Sequence, residues 1–244
     1  MDLISVILPY YKKRQFIEKA IFSVINQTYK KIELIIIFDD KDKDDLKYLE
    51  GIKKKDKRIK IVVNKKNIGA GLSRNKGIKL CKGKFIAFID ADDFWERSKL
   101  LKQLNFMKVN GYDFTHTSYK IIDINEKVIG IRKARDLTLQ NLLSSCDIGL
   151  STVMLKKKIL KKNLFVNLKI KEDDVLWLKL AKQNYKFYAL KHYLTNWRSL
   201  KNSLSSSVIQ KLKDGFRVYR YYLKQSLIRS FISLIILSIN YIKK

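Results

Sequence analysis

The chain has 244 residues, which is enough for one α/β domain with a sizeable core and a helical extension. Hydrophobic residues make up 46% of it, which excludes wholesale disorder. The formal net charge of +29 is compatible with nucleic acid or an anionic membrane as a partner, but the lysines are spread along the whole chain. Cys81 and Cys146 lie far apart without CxxC spacing, so they predict neither a disulfide framework nor a zinc site. Because no basic leader precedes the first apolar run, we expect a cytoplasmic protein.

The first half of the chain alternates short apolar runs with amphipathic stretches. The apolar runs predict strands at residues 4–8, 32–38, 59–63 and 85–89, and Pro9 is expected to end the first of them. Apolar side chains at three- and four-residue spacing predict helices at residues 16–25, 46–54 and 73–81. Strands separated by helices at this interval indicate βαβ units, so we expect an α/β fold with a mostly parallel central sheet flanked by helices.

The pattern loosens after residue 95. Helices are predicted at residues 100–107, 139–143 and 175–180, and strands at residues 112–123, 128–132, 152–155 and 187–197. Residues 193–206 include a serine-rich stretch and are interpreted either as a flexible segment over an active site or as an ordinary exposed loop. No glycine- or proline-rich linker divides the chain, so we expect one domain over residues 1–207 and a basic helical tail over residues 208–244.

Three carboxylates follow the fourth predicted strand within four positions, namely Asp90, Asp92 and Asp93. The carboxyl ends of buried parallel strands are where open α/β sheets bind ligands. Carboxylates this close repel one another unless a cation lies among them, and oxygen ligands suit Mg²⁺ or Mn²⁺. The alternative is a solvated acidic turn that caps the next helix, although capping needs one Asp rather than three.

Other polar residues at strand and helix ends extend this predicted site. Asp39 and Asp40 follow the second strand, where Asp39 can accept a hydrogen bond from a sugar hydroxyl or a base N–H, or can simply cap a helix. Arg74 lies in a loop that opens a helix and is predicted near phosphate or carboxylates. Asp173 comes at the start of an amphipathic helix, where it is either a general base or a favourable partner of the helix dipole.

Several linked motifs, in order, resemble those of family 2 glycosyltransferases of the bacterial envelope-polysaccharide type. The resemblance covers about residues 3–205 and is carried by the segments at residues 5–11, 20–29, 33–40, 71–78, 82–95, 150–154 and 172–177. It implies a GT-A fold, with a nucleotide-sugar-binding half at residues 1–95 and an acceptor half at residues 96–207. It also implies inverting, metal-dependent transfer from a nucleotide-diphosphate sugar to a glycan or lipid-linked acceptor.

The same resemblance assigns roles to individual residues. Pro9, Tyr11 and Asp39 would line the base and ribose, with Arg74 close to them. Asp90 and Asp92 match the DxD motif, and Asp92 with Asp93 would hold Mn²⁺ or Mg²⁺. Asp173 would be the catalytic base, and Arg198 would meet the diphosphate. The chain departs from the usual Asp-Asp-Gly-Ser after the second strand, since Lys41 follows Asp40, and this departure concerns the ribose contacts.

The tail leaves two interpretations open. Residues 227–242 are strongly apolar but shorter than the roughly 20 residues that span a bilayer. This segment can pack on the catalytic domain, or it can lie in the interface of an anionic membrane with basic side chains nearby. Two other functions are weighed for the whole chain. A nucleic-acid-binding protein is supported by charge alone, and a nucleotidyltransferase would need an N-terminal phosphate loop that the sequence lacks.

Overall fold

A mixed β-sheet runs through the computed structural model, which describes residues 1–145, 147–162, 164–200 and 207–242. Its strands are β1 (Ile4–Tyr10), β2 (Ile32–Phe38), β3 (Ile59–Val63), β4 (Phe85–Phe88), β5 (Phe94–Trp95), β6 (Phe114–Ile122), β7 (Val128–Arg132), β8 (Met154–Lys156) and β9 (Tyr188–Arg198). The spatial order is β3-β2-β1-β4-β8-β6-β9-β5, with β7 paired to β6. The strands β3, β2, β1 and β4 are parallel, as predicted, whereas β8 joins β4 antiparallel and begins the second half of the sheet.

Helices cover both faces of the sheet. They are α1 (Arg14–Ile25), α2 (Lys43–Lys53), α3 (Ala70–Leu80), α4 (Lys99–Val109), α5 (Leu139–Ser144), α6 (Glu172–Lys182), α7 (Val208–Arg217) and α8 (Leu227–Ile242). All seven residues of β2 are buried, because each face of this strand packs against its own apolar cluster. One cluster includes side chains of α1 and α4, and the other includes side chains of α3, α5 and α6. The alternating pattern of helices and strands therefore gives central strands β1, β2 and β4 that are buried on both sides.

Pro9 does not end the first strand, contrary to the prediction. Strand β1 continues to Tyr10, although it lies between β2 and β4 in the sheet. The carbonyl of Ile7 accepts a hydrogen bond from Ile89 on the β4 side, and Pro9, two residues further on, faces the same side. Since β4 ends at Phe88, opposite Ile7, no ladder partner is left there for a donor at position 9. A proline is therefore tolerated in this central strand.

Helix α6 begins three residues earlier than predicted. It starts at Glu172, so Glu172 and Asp173 lie in its first turn rather than ahead of it. Lys171, the residue immediately before the helix, has a φ of 66°, in the left-handed region that non-glycine residues rarely adopt. The backbone thus turns sharply at the point where it delivers these carboxylates.

The tail folds back onto the domain and packs there with one face. Val218, Tyr219 and Leu223 join the core cluster that contains α6. The hydroxyl of Tyr219 donates to the carbonyl of Leu143 at 2.7 Å, and the side-chain amide of Asn240 donates to the carbonyl of Ser144 at 3.0 Å. Both acceptors belong to α5. The packing interpretation of the tail is therefore correct for its inner face.

The outer face of the tail is apolar and exposed. Its exposed large hydrophobic side chains on α7 and α8 are Val208, Ile209, Leu212, Leu227, Ile228, Phe231, Ile232, Ile235, Ile236 and Ile239. Within the described residues, none of the helices has both the length and the apolar character required to cross a bilayer. Residues 201–206 of the predicted flexible segment, and Lys243 and Lys244 of the tail, lie outside the described part of the chain.

Candidate active site

Asp90 and Asp92 lie just beyond the carboxyl end of β4, as the sequence predicts. The backbone N–H of Asp90 donates to the hydroxyl of Ser151 at 3.0 Å, which fixes the turn. The Oδ1 atom of Asp90 lies 2.7 Å from Arg74, and Oδ2 of Asp92 lies 2.8 Å from the ammonium of Lys13. Burial, followed by the negative charge of Asp90, raises the pKa of Asp92. The pair therefore lies where additional positive charge would be favourable.

Asp93 lies in a different environment from the other two acids. Only 2% of its surface is exposed, and its Oδ2 accepts a hydrogen bond from the Ser151 hydroxyl at 2.6 Å. Its Oδ1 accepts one from the backbone N–H of Arg198 at 2.9 Å. Burial, with the charges of Asp92 and Asp90, raises the pKa of Asp93 well above its usual range. These contacts give Asp93 a part in tying the acidic turn to β9 and favour Asp92 over Asp93 as a metal ligand.

The Arg198 side chain is committed to internal contacts. Its Nε donates to the carbonyl of Asp92 at 3.0 Å, and its Nη1 donates to the carbonyls of Asp123 and Ile124. Its Nη2 lies 3.0 Å from Glu126, and the guanidinium stacks over the ring of Phe16. Arg198 is 4% exposed. The arrangement fastens the acidic turn to the end of β6 and leaves little of the guanidinium for the diphosphate contact that the resemblance implies.

Asp39 anchors the loop between β3 and α3. Its carboxylate accepts hydrogen bonds from the backbone N–H groups of Ile68 at 2.9 Å and Gly69 at 2.8 Å, and from the side chain of Asn64 at 2.7 Å. Its backbone carbonyl accepts another from Asn67. Gly69 has a φ of 84°, which a residue with a side chain would adopt only at a cost. The loop is thus held at the same sheet edge as Asp90 by an acid that is 2% exposed.

Pro9 and Tyr11 lie at the end of β1, on this same edge. Tyr11 is 45% exposed, so its ring is free to contact a ligand. Lys12 follows with a φ of 49°, and its backbone N–H donates to Oδ2 of Asp40 at 2.9 Å. Asp40 therefore stabilises the turn after β1, while Tyr11 remains available.

Arg74 connects the acidic turn after β4 to the start of α6. Its Nη1 lies 2.6 Å from Oε1 of Glu172, and its Nη2 lies 2.7 Å from Oδ1 of Asp90. Burial opposes the charge, but the carboxylates of Asp90 and Glu172 outweigh burial and raise the pKa of Arg74. Burial also raises the pKa of Glu172, although Arg74 lowers it. The ion pair joins elements that are 98 residues apart in the chain.

Asp173, the predicted base, lies beside this ion pair. Burial, together with the charges of Asp174 and Glu172, raises the pKa of Asp173 well above its usual range, while Arg74 lowers it. Asp174 is engaged separately, since its Oδ2 lies 3.0 Å from the ammonium of Lys171. A carboxylate with a raised pKa is a stronger base once it is deprotonated, which suits proton abstraction.

Sequence reasoning missed three contributors to this site. Ser151 supports both Asp90 and Asp93, Lys13 pairs with Asp92, and Glu172 holds Arg74. Ser151 lies in a segment that carried the family resemblance, and Glu172 lies next to the predicted base. The sequence therefore contained a feature that could have identified each of them as a site residue. Lys13 is one of many lysines, and nothing local in the sequence sets it apart.

The donor set fits a divalent cation that brings part of its own ligand shell. Within residues 1–145, 147–162, 164–200 and 207–242, no three acid, histidine or cysteine side chains form a complete metal cage. Asp90 and Asp92 offer two neighbouring carboxylates, and burial together with the charge of Asp90 raises the pKa of Asp92, so a cation between them would be favourable. Mg²⁺ is commonly held by one or two carboxylates together with substrate phosphates. The residues present therefore suit Mg²⁺ or Mn²⁺ accompanied by a diphosphate.

Comparison with known proteins identifies the family. The model for glycosyl transferase family 2 matches residues 5–170, which is more than half of the chain. This chain belongs to glycosyl transferase family 2. It is 34% identical over 230 residues to the Escherichia coli UDP-Glc:alpha-D-GlcNAc-diphosphoundecaprenol beta-1,3-glucosyltransferase WfgD, covering 93% of this chain and 89% of WfgD. The family 2 protein is therefore a glycosyltransferase, as the motifs predict.

Solved structures confirm the predicted GT-A fold of this family 2 glycosyltransferase. Residues 1–349 of S. aureus TarS in complex with UDP-GlcNAc match with a TM-score of 0.74 at 20% identity, over 97% of this chain and 71% of that one. The mannosyltransferase PcManGT from Pyrobaculum calidifontis, in complex with GDP-Man and Mn²⁺, matches with a TM-score of 0.69 at 13% identity, over 91% and 64% of the two chains. At these identities the likeness concerns the fold.

Proposed function

We propose that this glycosyltransferase moves a sugar, with inversion at the anomeric carbon, from a nucleotide-diphosphate sugar to a hydroxyl of a glycan or lipid-linked acceptor in cell-envelope polysaccharide synthesis. The observation that carries the proposal is the Arg74 bridge. It joins Asp90 of the DxD turn to Glu172, the neighbour of Asp173, at 2.7 and 2.6 Å. The DxD turn, proposed to act on the leaving group, and Asp173, proposed to act on the acceptor hydroxyl, therefore belong to one contiguous site.

The donor occupies the carboxyl edge of β1, β2 and β4. Pro9, Tyr11 and the loop anchored by Asp39 line the nucleotide, and Arg74 stabilises the negative charge of the neighbouring carboxylates. Asp92, together with Asp90, would hold Mn²⁺ or Mg²⁺. When bound, the ion neutralises the charge that develops on the departing nucleoside diphosphate. We leave Arg198 out of the donor contacts and Asp93 out of the metal site because both are occupied by internal hydrogen bonds.

Asp173 accepts the proton of the acceptor hydroxyl as that oxygen attacks the anomeric carbon. The new C–O bond forms on the face opposite the leaving group, and the old bond to the phosphate oxygen breaks with its electron pair on the nucleoside diphosphate. Configuration at the anomeric carbon therefore inverts, and no covalent enzyme intermediate is required. The raised pKa of Asp173 supports this role, because it gives the carboxylate a greater affinity for the transferred proton.

The acceptor is proposed to be lipid-linked, and the enzyme to work at the cytoplasmic face of an anionic membrane. The name of WfgD specifies a diphosphoundecaprenol-linked acceptor for that relative. The tail supports the proposal independently. Over residues 207–242 it carries six basic residues and one acid, Asp214, and that acid is fully buried. An exposed apolar face on basic helices is suited to an interface with anionic lipid.

A panel of nucleotide sugars tests the reaction. We expect one UDP- or GDP-sugar to raise the melting temperature in the presence of Mn²⁺ or Mg²⁺, and EDTA to reduce this shift. Asp92→Asn should lose most of the metal-dependent part of the shift in melting temperature. It should also lower the rate of sugar transfer about a hundredfold. Asp113→Asn, an acid that pairs with Lys156 away from the site, serves as the control. Undiminished transfer by Asp92→Asn, or in EDTA, would contradict the metal assignment.

A further inference from the structure

The tail reaches the catalytic helix through one buried carboxylate. Asp214 lies in α7 and has no exposed surface. Its Oδ2 accepts a hydrogen bond from the backbone N–H of Ile170 at 3.2 Å and another from the side chain of Gln210 at 2.7 Å. Its Oδ1 lies 3.6 Å from Arg217. Since Ile170 is three residues before Asp173, the tail is hydrogen-bonded to the backbone that carries the proposed base.

The segment that Asp214 holds is under conformational strain. Lys171 follows Ile170 with a φ of 66°, an arrangement that costs free energy in a residue other than glycine. Such a conformation persists when the surrounding contacts define it. On the side of the domain, the amide of Asn75 in α3 exchanges two hydrogen bonds with the backbone of Phe165. On the side of the tail, Asp214 accepts the hydrogen bond from Ile170, and a Cβ added at Gly215 would lie 3.8 Å from Cε of Lys171.

Helix α3 contacts the residue that follows this turn. Gly71 of α3 approaches the Glu172 side chain so closely that an added Cβ would lie 2.9 Å from its Cγ. Arg74 then fixes the Glu172 carboxylate. Helix α3 thus holds Glu172 in the first turn of α6, and Asp214 of α7 holds Ile170, two residues before it.

We propose that Asp214 is a positioning residue for catalysis, because its hydrogen bond to Ile170 holds the Lys171 turn and so sets the position of the Asp173 carboxylate. The proposal rests on the proposed function of Asp173 and adds a second role to the tail. The tail is part of the catalytic apparatus through its inner face, whatever its outer face contacts. A small displacement of a catalytic group lowers the rate while leaving donor binding intact.

The test uses three variants of the full chain. Asp214→Leu removes the acceptor but keeps the branching and the number of side-chain heavy atoms, whereas Asp214→Asn retains a side-chain oxygen that can accept from Ile170. Tyr219→Phe is the matched control, because it removes a hydrogen bond from the tail to Leu143 of α5 and leaves Asp214 in place. Hydrogen exchange of the backbone amides at residues 170–175 is measured first, and this readout needs no substrate. Turnover and donor KM are then measured with UDP-glucose and a synthetic GlcNAc-diphosphoryl lipid.

We expect Asp214→Leu to accelerate exchange at residues 170–175 about tenfold and to lower kcat about tenfold or more, with donor KM within about twofold. Asp214→Asn should bring both the exchange rate and kcat most of the way back to the values of the unsubstituted protein. Tyr219→Phe should change neither the exchange rate nor kcat. Unchanged exchange in Asp214→Leu overturns the proposal, as does accelerated exchange with normal kcat. If Asp173→Asn retains full turnover, the assignment of the base fails instead, while the exchange result still reports on the Asp214 contact.

Discussion

At the scale of single residues, the site concentrates charges that burial makes costly. Glu172, Asp173 and Asp174 follow one another in the first turn of α6, and Arg74 neutralises part of their charge. The pKa of Asp173 is raised because its ionised form is buried beside two further carboxylates. The free enzyme thus maintains a base that is unfavourable to ionise, as is common where a catalytic group must take up a proton.

Asp173→Asn should separate catalysis from binding. The amide retains the size and most hydrogen bonds of the acid, but it cannot accept the proton of the acceptor hydroxyl. We expect kcat to fall by about 10² to 10⁴, the usual contribution of a general base, with donor KM changed by no more than a few fold. Steady-state kinetics measures both. If Glu172→Gln abolishes turnover and Asp173→Asn does not, the roles of these two neighbours are reversed.

The same substitution should stabilise the folded protein at neutral pH. A carboxyl whose pKa is raised on folding destabilises the folded state as pH rises from its unfolded pKa, about 3.9, through its folded value. Asn carries no such cost. The free energy of unfolding should therefore be greater for Asp173→Asn than for the unsubstituted protein at pH 7, and the difference should narrow toward pH 4. Urea titrations at several pH values measure it, and a constant difference across this range would argue against the raised pKa.

Whether a site residue could be predicted from the sequence depends on whether its role is set by neighbouring residues in the chain or by contacts with distant segments. Asp90 and Asp92 were predicted because a buried strand delivers them to a known edge of the sheet. The hydrogen bonds of Asp39 to Ile68 and Gly69, and those of Arg198 to the turn at residues 123–124, join distant segments, and no local pattern encodes them. Position along the chain indicated that these residues belong near the site, but their partners were set by tertiary packing.

At the scale of elements, hydrophobic periodicity predicted the strands well, whereas the start of helix α6 was predicted wrongly. Strands β2, β3 and β7 match their predicted residues, because continuous or alternating apolar runs end at polar turns. Helix α6 was predicted too short, since the acids of its first turn belong to no apolar stripe although the helix dipole favours them there. The two interpretations of α8 could not be separated from the sequence, because an apolar helix can pack with one face and expose the other.

The packing of α3 on β1 is tested by a matched pair of glycine substitutions. A Cβ at Gly77 would lie 2.6 Å from Cγ2 of Ile7, so Gly77→Ala should lower the free energy of unfolding by about 1–3 kcal/mol. Gly51, in α2, has nothing within 4 Å of its added Cβ, so Gly51→Ala should raise it by up to about 1 kcal/mol through helix propensity. Denaturant unfolding measures both variants. Equal effects at the two positions would contradict the close α3–β1 contact.

At the scale of the whole molecule, the acidic site and the basic tail lie on a chain with a large positive charge. The described helices of the tail pack with one face on α5 and α6 and leave an apolar face open. A net charge of +29 favours encounter with an anionic surface, and the apolar face would retain the protein there. The proposed acceptor is attached to the same kind of surface, so binding the membrane would also concentrate the enzyme near its substrate.

Vesicle co-sedimentation tests this arrangement. Ile228 and Ile232 lie one helical turn apart on α8 and are 74% and 51% exposed, so replacing both with Glu should leave the fold intact. We expect the unsubstituted chain to bind phosphatidylglycerol vesicles in a salt-sensitive way and the double variant to bind at least about tenfold more weakly. Val109→Glu, at an 85% exposed apolar position on α4, is the control and should bind normally. Equal binding by all three proteins would contradict the membrane proposal.

The stereochemistry of transfer tests the central claim most directly. The protein is incubated in Mn²⁺ with an α-linked nucleotide sugar that the panel selects, UDP-glucose being tried first, and with a synthetic GlcNAc-diphosphoryl lipid, and the anomeric configuration of the product is read by proton NMR. A single displacement with Asp173 as base predicts a β-linked product and one nucleoside diphosphate released per sugar transferred, with both lost in Asp173→Asn. An α-linked product, or the same β-linked product at undiminished rate from Asp173→Asn, would contradict the mechanism.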